Sequence, residues 1–438
     1  MKRKRSIIFV LTLILSIFLA ACSGGAGQES STDSDNDSGS NSTNGDKIVL
    51  DFWQIDSGDK EAVYADAVKR FEEKNPGVEV NMLRIPNDDY KQRMVVAMSG
   101  GNPPDAFVSW GGGWLKEFAD AGQVLDLTNE DIDFDIFLEM ALANSTFDDK
   151  VYGLPLGLSQ TLFFYNKEIF EEHGLEEPET FDELLAIIDV LNENNIIPIT
   201  LTNQTKWPGA YYLMYFADRL GGEDLFQSAF NRDGKGFDDP AYVRAGEYIQ
   251  ELVDRDAFNP GFNGVPYDAG QGRQLLYSEQ SAMMLMTNSL VVNVRSEAPE
   301  FEEKLGMFEF PTLPDGNGDP SNVGGSASPV WSVYSGSDHP ELAVELIKEL
   351  STVETAEDYV TRTGSLSALK DIQSDDVFVQ KFTEIASRAN DIHMPYDQTL
   401  PPVLAELHKD TTQELFGKTM TPQEAADLME QKAKEELD

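Results

Sequence analysis

The chain has 438 residues, with 33 Lys and Arg against 77 Asp and Glu, and its net charge of −44 argues against nucleic acid as a partner because phosphate backbones are also negative. The hydrophobic fraction is 41%, and residues 46–438 exceed what one core usually supports, so we expect two soluble lobes. Cys22 is the only cysteine, which excludes a disulfide within the chain.

The amino-terminal segment has the pattern of an export signal. The basic run Lys2-Arg3-Lys4-Arg5 precedes an uncharged apolar stretch, Ile7 to Leu19, that is too short to span a membrane. The stretch ends in Leu19-Ala20-Ala21-Cys22, which resembles the lipobox at which bacterial lipoproteins are cleaved and acylated. We therefore expect residues 1–21 to be a lipoprotein signal peptide and Cys22 to carry lipid, the alternative being a buried or spare thiol.

The segment after Cys22 has the composition of a linker. Residues 23–45 contain a single apolar side chain, Ala26, among Ser, Gly, Asp, Asn, Thr, Gln and Glu. Such a segment cannot bury enough surface to offset the entropy of ordering. We predict that residues 22–45 form a disordered tether, which would span about 25 Å root-mean-square as a flexible coil.

The first elements of the globular part alternate between strand and helix. Ile48–Trp53 is a mostly apolar run that predicts a buried strand, and apolar residues from Val63 to Phe71 recur with helical spacing after a possible cap at Ser57. Val78–Met82 alternates as a second strand. The order strand, helix, strand is typical of a parallel sheet.

The alternation continues along the chain. We predict a helix over Tyr90–Met98, a strand over Ala106–Trp110 and, after three glycines, a helix from Trp114 to Ala121. Thr180 and Thr421 each precede a glutamate by three residues, which is capping-box spacing and marks two further helix starts. These patterns together predict an α/β protein.

A central stretch carries a family resemblance. Tyr165-Asn166-Lys167-Glu168-Ile169-Phe170, followed by Gly174-Leu175 and Pro178-Glu179-Thr180-Phe181, resembles a signature of the extracellular solute-binding proteins, the family of maltose-binding protein and of raffinose-type and xylose-type oligosaccharide receptors. Phe181 stands where tryptophan is common. Supporting matches follow in family order, at Phe71–Gly77, Gly101–Asp105, Ser281–Met284 and Gly324–Tyr334.

This resemblance implies the type II periplasmic-binding-protein fold, with two discontinuous α/β lobes, a hinge and an interlobe cleft. Lobe 1 would comprise residues 46–156 and 329–365, and lobe 2 residues 157–328 and 366–438. The implied function is that of a substrate-binding lipoprotein of a bacterial ABC importer. It would capture a neutral oligosaccharide by closure of the lobes and deliver it to the permease.

A neutral sugar presents apolar C–H faces, which suit aromatic platforms, and a fringe of hydroxyls, which suit polar side chains. By the family likeness we predict Trp110 and Trp207 as platforms. Trp53 and Trp331 are candidates for which a core position is equally favoured. Trp53 and Trp110 should project where strands end, because ligands of open α/β sheets bind outside the carboxyl ends of the strands.

The same likeness points to polar contacts. The predicted set is Asp56, Gln160, Asn203, Gln204, Asn288 and Asp397, with Tyr396 as a further stacking ring. The competing interpretation of each is a helix cap or turn residue, and capping of the next helix by Asp56 or Ser57 is the strongest such case.

Three alternatives stay open. A secreted glycosidase would need a carboxylate pair, but the sequence has no nucleophile-elbow, zincin or phosphate-loop motif, and its four histidines are scattered. A sugar sensor is a second alternative. An amino-acid or oxyanion receptor would need cations such as Arg84, Arg93 or Arg273. We expect no enzyme activity, cofactor or metal, and a monomer that touches the outer face of the cell membrane only through its lipid.

Overall fold

The computed structural model describes residues 47–438 and shows strands alternating with helices, as the sequence predicts. The predicted signal peptide, the lipidated Cys22 and the tether lie outside the described residues. The strands are β1 Ile48–Gln54, β2 Val78–Arg84, β3 Ala106–Ser109, β4 Thr146–Phe147, β5 Lys150–Val151, β6 Leu154–Pro155, β7 Gly157–Asn166, β8 Ile197–Ile199, β9 Ser281–Thr287, β10 Leu305–Phe308, β11 Val323–Ala327, β12 Val330–Val333, β13 Leu366–Ser367 and β14 Ile392–His393.

The helices connect and cover these strands. They are α1 Asp59–Lys74, α2 Asn87–Gly100, α3 Gly112–Asp120, α4 Glu139–Ala143, α5 Lys167–His173, α6 Phe181–Glu193, α7 Trp207–Gly221, α8 Glu223–Asn231, α9 Pro240–Asp254, α10 Gln271–Tyr277, α11 Ser289–Glu297, α12 Pro340–Glu349, α13 Val353–Thr363, α14 Val377–Arg388, α15 Tyr396–Thr399, α16 Pro402–Gly417 and α17 Pro422–Glu436. None of these helices, within residues 47–438, is long and apolar enough to cross a bilayer.

The first lobe is built on a five-stranded sheet with the order β2-β1-β3-β12-β6. Strand β1 runs parallel to β2 and β3, and β12 runs antiparallel to β3 and β6. Helices α1 and α12 pack on this sheet and on each other, and α13 packs on α1. The parallel strands end together after Gln54 and Ser109, which places the segments that follow them at one edge of the sheet.

The second lobe is built on a seven-stranded sheet whose path is β14-β11-β7-β9-β8, with β10 and β13 also paired to β7. Strand β7 is the longest and is buried along nearly its whole length because it lies in the middle of this sheet. Helices α7, α9, α16 and α17 pack together in this lobe.

The chain passes between the sheets at three places. These are the links from β6 to β7, from β11 to β12 and from α13 to β13. The links lie side by side: the Leu156 amide donates to the Pro329 carbonyl at 3.0 Å, and the Ala368 amide donates to the Leu156 carbonyl at 2.9 Å. This architecture is the two-lobed α/β fold that the resemblance implies, and the predicted fold class is confirmed.

The predicted helix starts are correct at two positions and wrong at a third. Thr180 and Thr421 both form capping boxes with the glutamate three residues later. The expected cap at Ser57 is wrong, because α1 begins after Gly58 and no side chain caps it. The Asp56 carboxylate instead accepts a hydrogen bond from the Tyr64 hydroxyl at 2.8 Å.

Candidate binding cleft

A cleft of about 790 Å³ lies between the two lobes. The first lobe contributes the loop after β1, helix α2 and the start of α3. The second lobe contributes the loop before α7, the segments around Tyr267 and Asn288, and residues from Asp397 to Lys409. This volume falls in the range of small-molecule sites, roughly 300–1,000 Å³.

Two indole rings line the first lobe's side of the cleft. Trp110 follows β3, and the turn after it needs Gly111, whose φ of 68° and ψ of −149° suit only glycine. Because α3 begins at once, Trp114 lies one turn further along, and the two ring centroids are 5.6 Å apart at 78°. Both rings are almost buried, at 6% and 5% exposure, so only part of each borders the cleft.

Three aromatic rings line the opposite side. Trp207 is the first residue of α7, and Tyr211 lies one helical turn later, with ring centroids 5.8 Å apart. Tyr267 packs on the same indole at 5.1 Å. Each lobe therefore brings an aromatic cluster to the shared cleft.

An ion pair crosses the cleft beside Trp110. The Lys91 ammonium lies 4.9 Å from the Trp110 ring centroid and donates a hydrogen bond to Oδ2 of Asp397 at 3.4 Å. Burial lowers the pKa of Lys91 although Asp397 opposes the shift. Burial alone would raise the pKa of Asp397. The charges of Lys91 and Lys409 outweigh burial and hold the pKa of this carboxyl below its usual value. The Asp397 side chain is therefore a charged carboxylate at neutral pH.

Most cations of the cleft have a carboxylate partner. Lys60 lies 3.7 Å from Asp56, and Arg273 makes a bidentate contact with Glu297 at 2.6 and 2.9 Å. The other such pairs are Lys206 with Asp410 and Lys409 with Glu406. Arg84 is the exception, since it makes no direct ion pair within residues 47–438, although its charge acts on Asp268. The cleft lining is therefore polar, but most of its positive charges are balanced by neighbouring carboxylates.

Six of the residues predicted from the sequence line the cleft. They are Asp56, Trp110, Gln204, Trp207, Asn288 and Asp397. Asn288 is bound to β7, because its side-chain Nδ2 donates a hydrogen bond to the Leu158 carbonyl at 3.1 Å. Trp110 and Trp207, the two favoured platforms, face the same space from opposite lobes.

The predictions for Trp53, Trp331 and Tyr396 need correction, since none of these rings lines the cleft. Trp331 is fully buried between Phe52 and Tyr64, because β12 is flanked by β3 and β6. Trp53 packs half-buried against the core of the first lobe. Tyr396 stacks on Phe226 at 4.0 Å inside the second lobe.

Gln160 and Asn203 are also buried away from the cleft. Asn203 is a turn residue: its Oδ1 accepts from the Gly209 amide at 3.0 Å, and its Nδ2 donates to Asn263 at 2.7 Å. Gln160 lies inside β7, and the polar atoms of its side chain find no partner within residues 47–438. The turn interpretation therefore holds for Asn203.

Several cleft residues escaped the sequence reasoning. Tyr211 was detectable, because it lies four residues after Trp207 in the same helix and so shares its helix face. Trp114 had no such signal, because Trp110 precedes α3 and is not part of that helix. Asp88, Lys91 and Tyr267 carried no such signal, since tertiary contacts alone bring them to the cleft. In the described part of the chain, no cluster of three or more His, Cys, Asp or Glu could hold a metal ion.

Two α/β lobes joined by three links around an aromatic cleft define a two-lobed solute-binding protein. The family model of the bacterial extracellular solute-binding proteins matches residues 56–357. This chain belongs to that family.

Related proteins are similar in sequence to this chain over most of its length. An uncharacterized ABC transporter extracellular-binding protein of Pyrococcus horikoshii is 24% identical over 84% of this chain and 81% of its own length. The melibiose/raffinose/stachyose-binding protein of Bacillus subtilis strain 168 is 22% identical over 84% of this chain and 83% of its own length. A structure solved in work on xylan utilization by Caldanaerobius polysaccharolyticus has a TM-score of 0.83 and 28% identity, covering 88% of this chain and 100% of that chain.

Proposed function

We propose that this protein is the receptor of a bacterial ABC importer and captures a neutral oligosaccharide between its lobes. The observation that carries the proposal is the pairing of Trp110, on the first lobe, with Trp207, on the second, across one cleft. Aromatic faces on two sides of a polar groove suit a ligand with apolar C–H faces and a hydroxyl fringe.

The similar proteins support the same ligand class. The Bacillus subtilis relative is named for binding melibiose, raffinose and stachyose, and the structure with 28% identity comes from work on xylan utilization. The internal pairing of charges in the cleft also favours a ligand without net charge. Oligosaccharides of this kind are therefore the first ligands to test.

Capture would proceed by closure of the lobes. A ligand that touches both lobes stabilises the closed arrangement by its greater affinity for that state. In this account lobe 1 comprises residues 46–156 and 329–365, lobe 2 comprises residues 157–328 and 366–438, and the three links form the hinge. The closed, loaded form would be the one that the permease recognises.

The cellular setting is part of the proposal. The lipobox-like sequence before Cys22 supports a lipid anchor on the outer face of the cell membrane, with residues 22–45 as the tether. The protein would act there as a monomer beside its permease and would not turn its ligand over. Membrane fractionation of a Cys22→Ser variant tests the anchor, because the proposal predicts that this variant no longer stays with the membrane.

One observation favours a second candidate ligand class. Arg84 borders the cleft and makes no direct ion pair in the described chain, although its charge acts on Asp268, so an acidic sugar or another oxyanion could pair with it. Arg93 does not line the cleft, and Arg273 is already paired with Glu297. This leaves a single available arginine for the alternative.

Isothermal titration calorimetry against a panel of ligands separates these classes. The panel comprises raffinose, stachyose, xylotriose and xylotetraose, with a uronic acid oligosaccharide and an amino-acid mixture as charged ligands. We expect sub-millimolar binding of a neutral member and no release of smaller sugars on prolonged incubation. Binding of charged ligands alone would contradict the neutral-sugar proposal, and steady product release would indicate an enzyme.

A further inference from the structure

A single carboxylate of the first lobe receives hydrogen bonds from two side chains of the second. Asp88 lies in the first turn of α2, and its Oδ1 accepts from the Thr205 hydroxyl at 3.0 Å and from the Trp207 indole Nε1 at 3.3 Å. Residues 117 and 119 positions apart along the chain are thus joined across the cleft.

Asp88 also makes two hydrogen bonds with Asp268 of the second lobe, one through its backbone and one through its side chain. The Asp88 amide donates to Oδ2 of Asp268 at 2.9 Å, and the Asp268 amide approaches Oδ2 of Asp88 at 3.4 Å. Asp88, Thr205, Trp207 and Asp268 all line the cleft. The four contacts therefore connect the lobes at the position where the proposed sugar platform, Trp207, meets the ligand space.

We propose that Asp88 is an interlobe latch, a positioning residue that fixes Thr205 and the Trp207 ring when the lobes close and so sets ligand affinity. This inference rests on the proposed function, because it assigns Trp207 to ligand binding. Asp88 acts on the ligand only through Thr205 and Trp207, whereas the Trp207 ring contacts the sugar directly.

The position of these hydrogen bonds indicates which state of the protein they stabilise. They join residues of different lobes, so they break when the lobes separate and form when the lobes close. A carboxylate in the first turn of a helix also interacts favourably with the helix dipole. Burial raises the pKa of the facing Asp268, although the hydrogen bond from the Asp88 amide opposes this shift more strongly than the charge of Asp88 adds to it. Loss of the latch should therefore destabilise the closed state selectively.

Kinetics distinguish a latch from a general structural role. Removal of contacts made only in the closed state speeds ligand dissociation and leaves association with the open state unchanged. For Asp88→Ala we expect about tenfold faster dissociation and a correspondingly weaker Kd, since hydrogen bonds to a charged group are lost. The probe is the neutral oligosaccharide that binds the wild-type chain most tightly, followed by stopped-flow tryptophan fluorescence.

The chain offers a matched control in the next residue. Asp89 lies in the same turn of α2 and is exposed, and its side chain makes no hydrogen bond or ion pair to any of residues 47–438. Asp89→Ala changes the same charge and should leave both rate constants at the wild-type values. If Asp88→Ala and Asp89→Ala behave alike, Asp88 is not a latch.

A second variant tests the route of the effect. Thr205→Val keeps the side-chain shape but removes the hydroxyl that donates to Asp88. We expect it to speed dissociation roughly two- to fivefold on its own and to add nothing in the Asp88→Ala background, because both changes break the same bond. Additive effects in the double variant would indicate two independent ligand contacts and would overturn the latch.

The ligand-free radius of gyration, measured by small-angle X-ray scattering, separates the latch from the function it rests on. Asp88→Ala should be more open than Asp89→Ala whether or not a sugar has been found. If the wild-type chain binds no sugar, the proposed function fails and scattering alone decides the latch. If it binds sugar with rates that Asp88→Ala does not change, the function stands and the latch fails.

Discussion

The ammonium nitrogen of Lys91 lies 3.4 Å from Oδ2 of Asp397, so one ion pair joins helix α2 of the first lobe to α15 of the second. Asp397 is buried, at 7% exposure, and Lys91 also lies over the Trp110 ring. Because α15 packs against α3 as well, the residues around this pair connect the lobes on the Trp110 side of the cleft.

Neutralisation of Asp397 should destabilise the fold. Asp397→Asn leaves the Lys91 ammonium without its counter-charge in a mostly desolvated position, and we expect the free energy of unfolding in urea at pH 7 to fall by about 2 kcal/mol. Asp410→Asn is the control, because its pair with Lys206 is more exposed and should cost less than about 1 kcal/mol. Equal losses in the two variants would contradict a special role for the buried pair.

Truncation of either platform should weaken sugar binding. We expect Trp110→Ala and Trp207→Ala each to raise the Kd roughly 30-fold, which corresponds to about 2 kcal/mol of lost binding free energy. Trp53→Phe is the control, because Trp53 does not line the cleft. Calorimetric titration makes the comparison, and an unchanged Kd in both alanine variants would show that the indoles do not bind the sugar.

A methyl group at Gly113 should disturb the contact between α3 and the carboxyl end of α15. A Cβ there would lie 2.5 Å from the Thr399 carbonyl oxygen and 2.7 Å from that of Leu400. We expect Gly113→Ala to lower the free energy of unfolding by about 1–3 kcal/mol through overpacking. Gly100→Ala, where a Cβ meets no atom within 4 Å, should be neutral or stabilising by up to about 1 kcal/mol. The same urea measurement applies, and equal stability of the two variants would contradict the packing.

Acid should destabilise the fold through His408. Burial lowers the pKa of His408 from 6.5 to about 4, although Asp397 opposes the shift. As the pH falls below 6.5 the unfolded chain takes up this proton before the folded chain does, so stability is complete above that pH and is lost toward pH 4. The loss from this group should reach about 2 kcal/mol by pH 4.5.

The pH dependence of a His408→Gln variant measures this contribution. Urea unfolding at pH 7, 5.5 and 4.5 should show a shallower decline for the variant than for the wild-type chain. Parallel declines in the two proteins would mean that His408 does not titrate between the folded and unfolded states as the structure implies.

Local patterns in the sequence were sufficient for the α/β alternation, whereas the two-lobed type II fold was implied by the family resemblance. The strands that begin at Ile48 and Val78 and the capped helices after Thr180 and Thr421 follow from alternation, helical spacing and capping, which act over a few residues. The cap at Ser57 was mispredicted, because Asp56 bonds to Tyr64 and Gly58 takes the cap position. That choice depends on a contact between the loop and the helix face.

The cleft was only partly predictable, because composition does not tell on which face of an element a ring lies. Trp110 and Trp331 both lie at or near paired strands, yet the former borders the cleft and the latter fills the core under α1. The contact between Asp88 and Trp207 joins residues that are distant in sequence and belong to different lobes. No local pattern encodes such a pair.

A crystal structure of the complex with the tightest-binding neutral oligosaccharide tests the central claim most directly. We predict that the sugar lies between the lobes, with the Trp110 indole and the Trp207 indole on opposite sides of it. A sugar bound elsewhere, or a cleft that stays empty while the sugar binds in solution, would contradict the account.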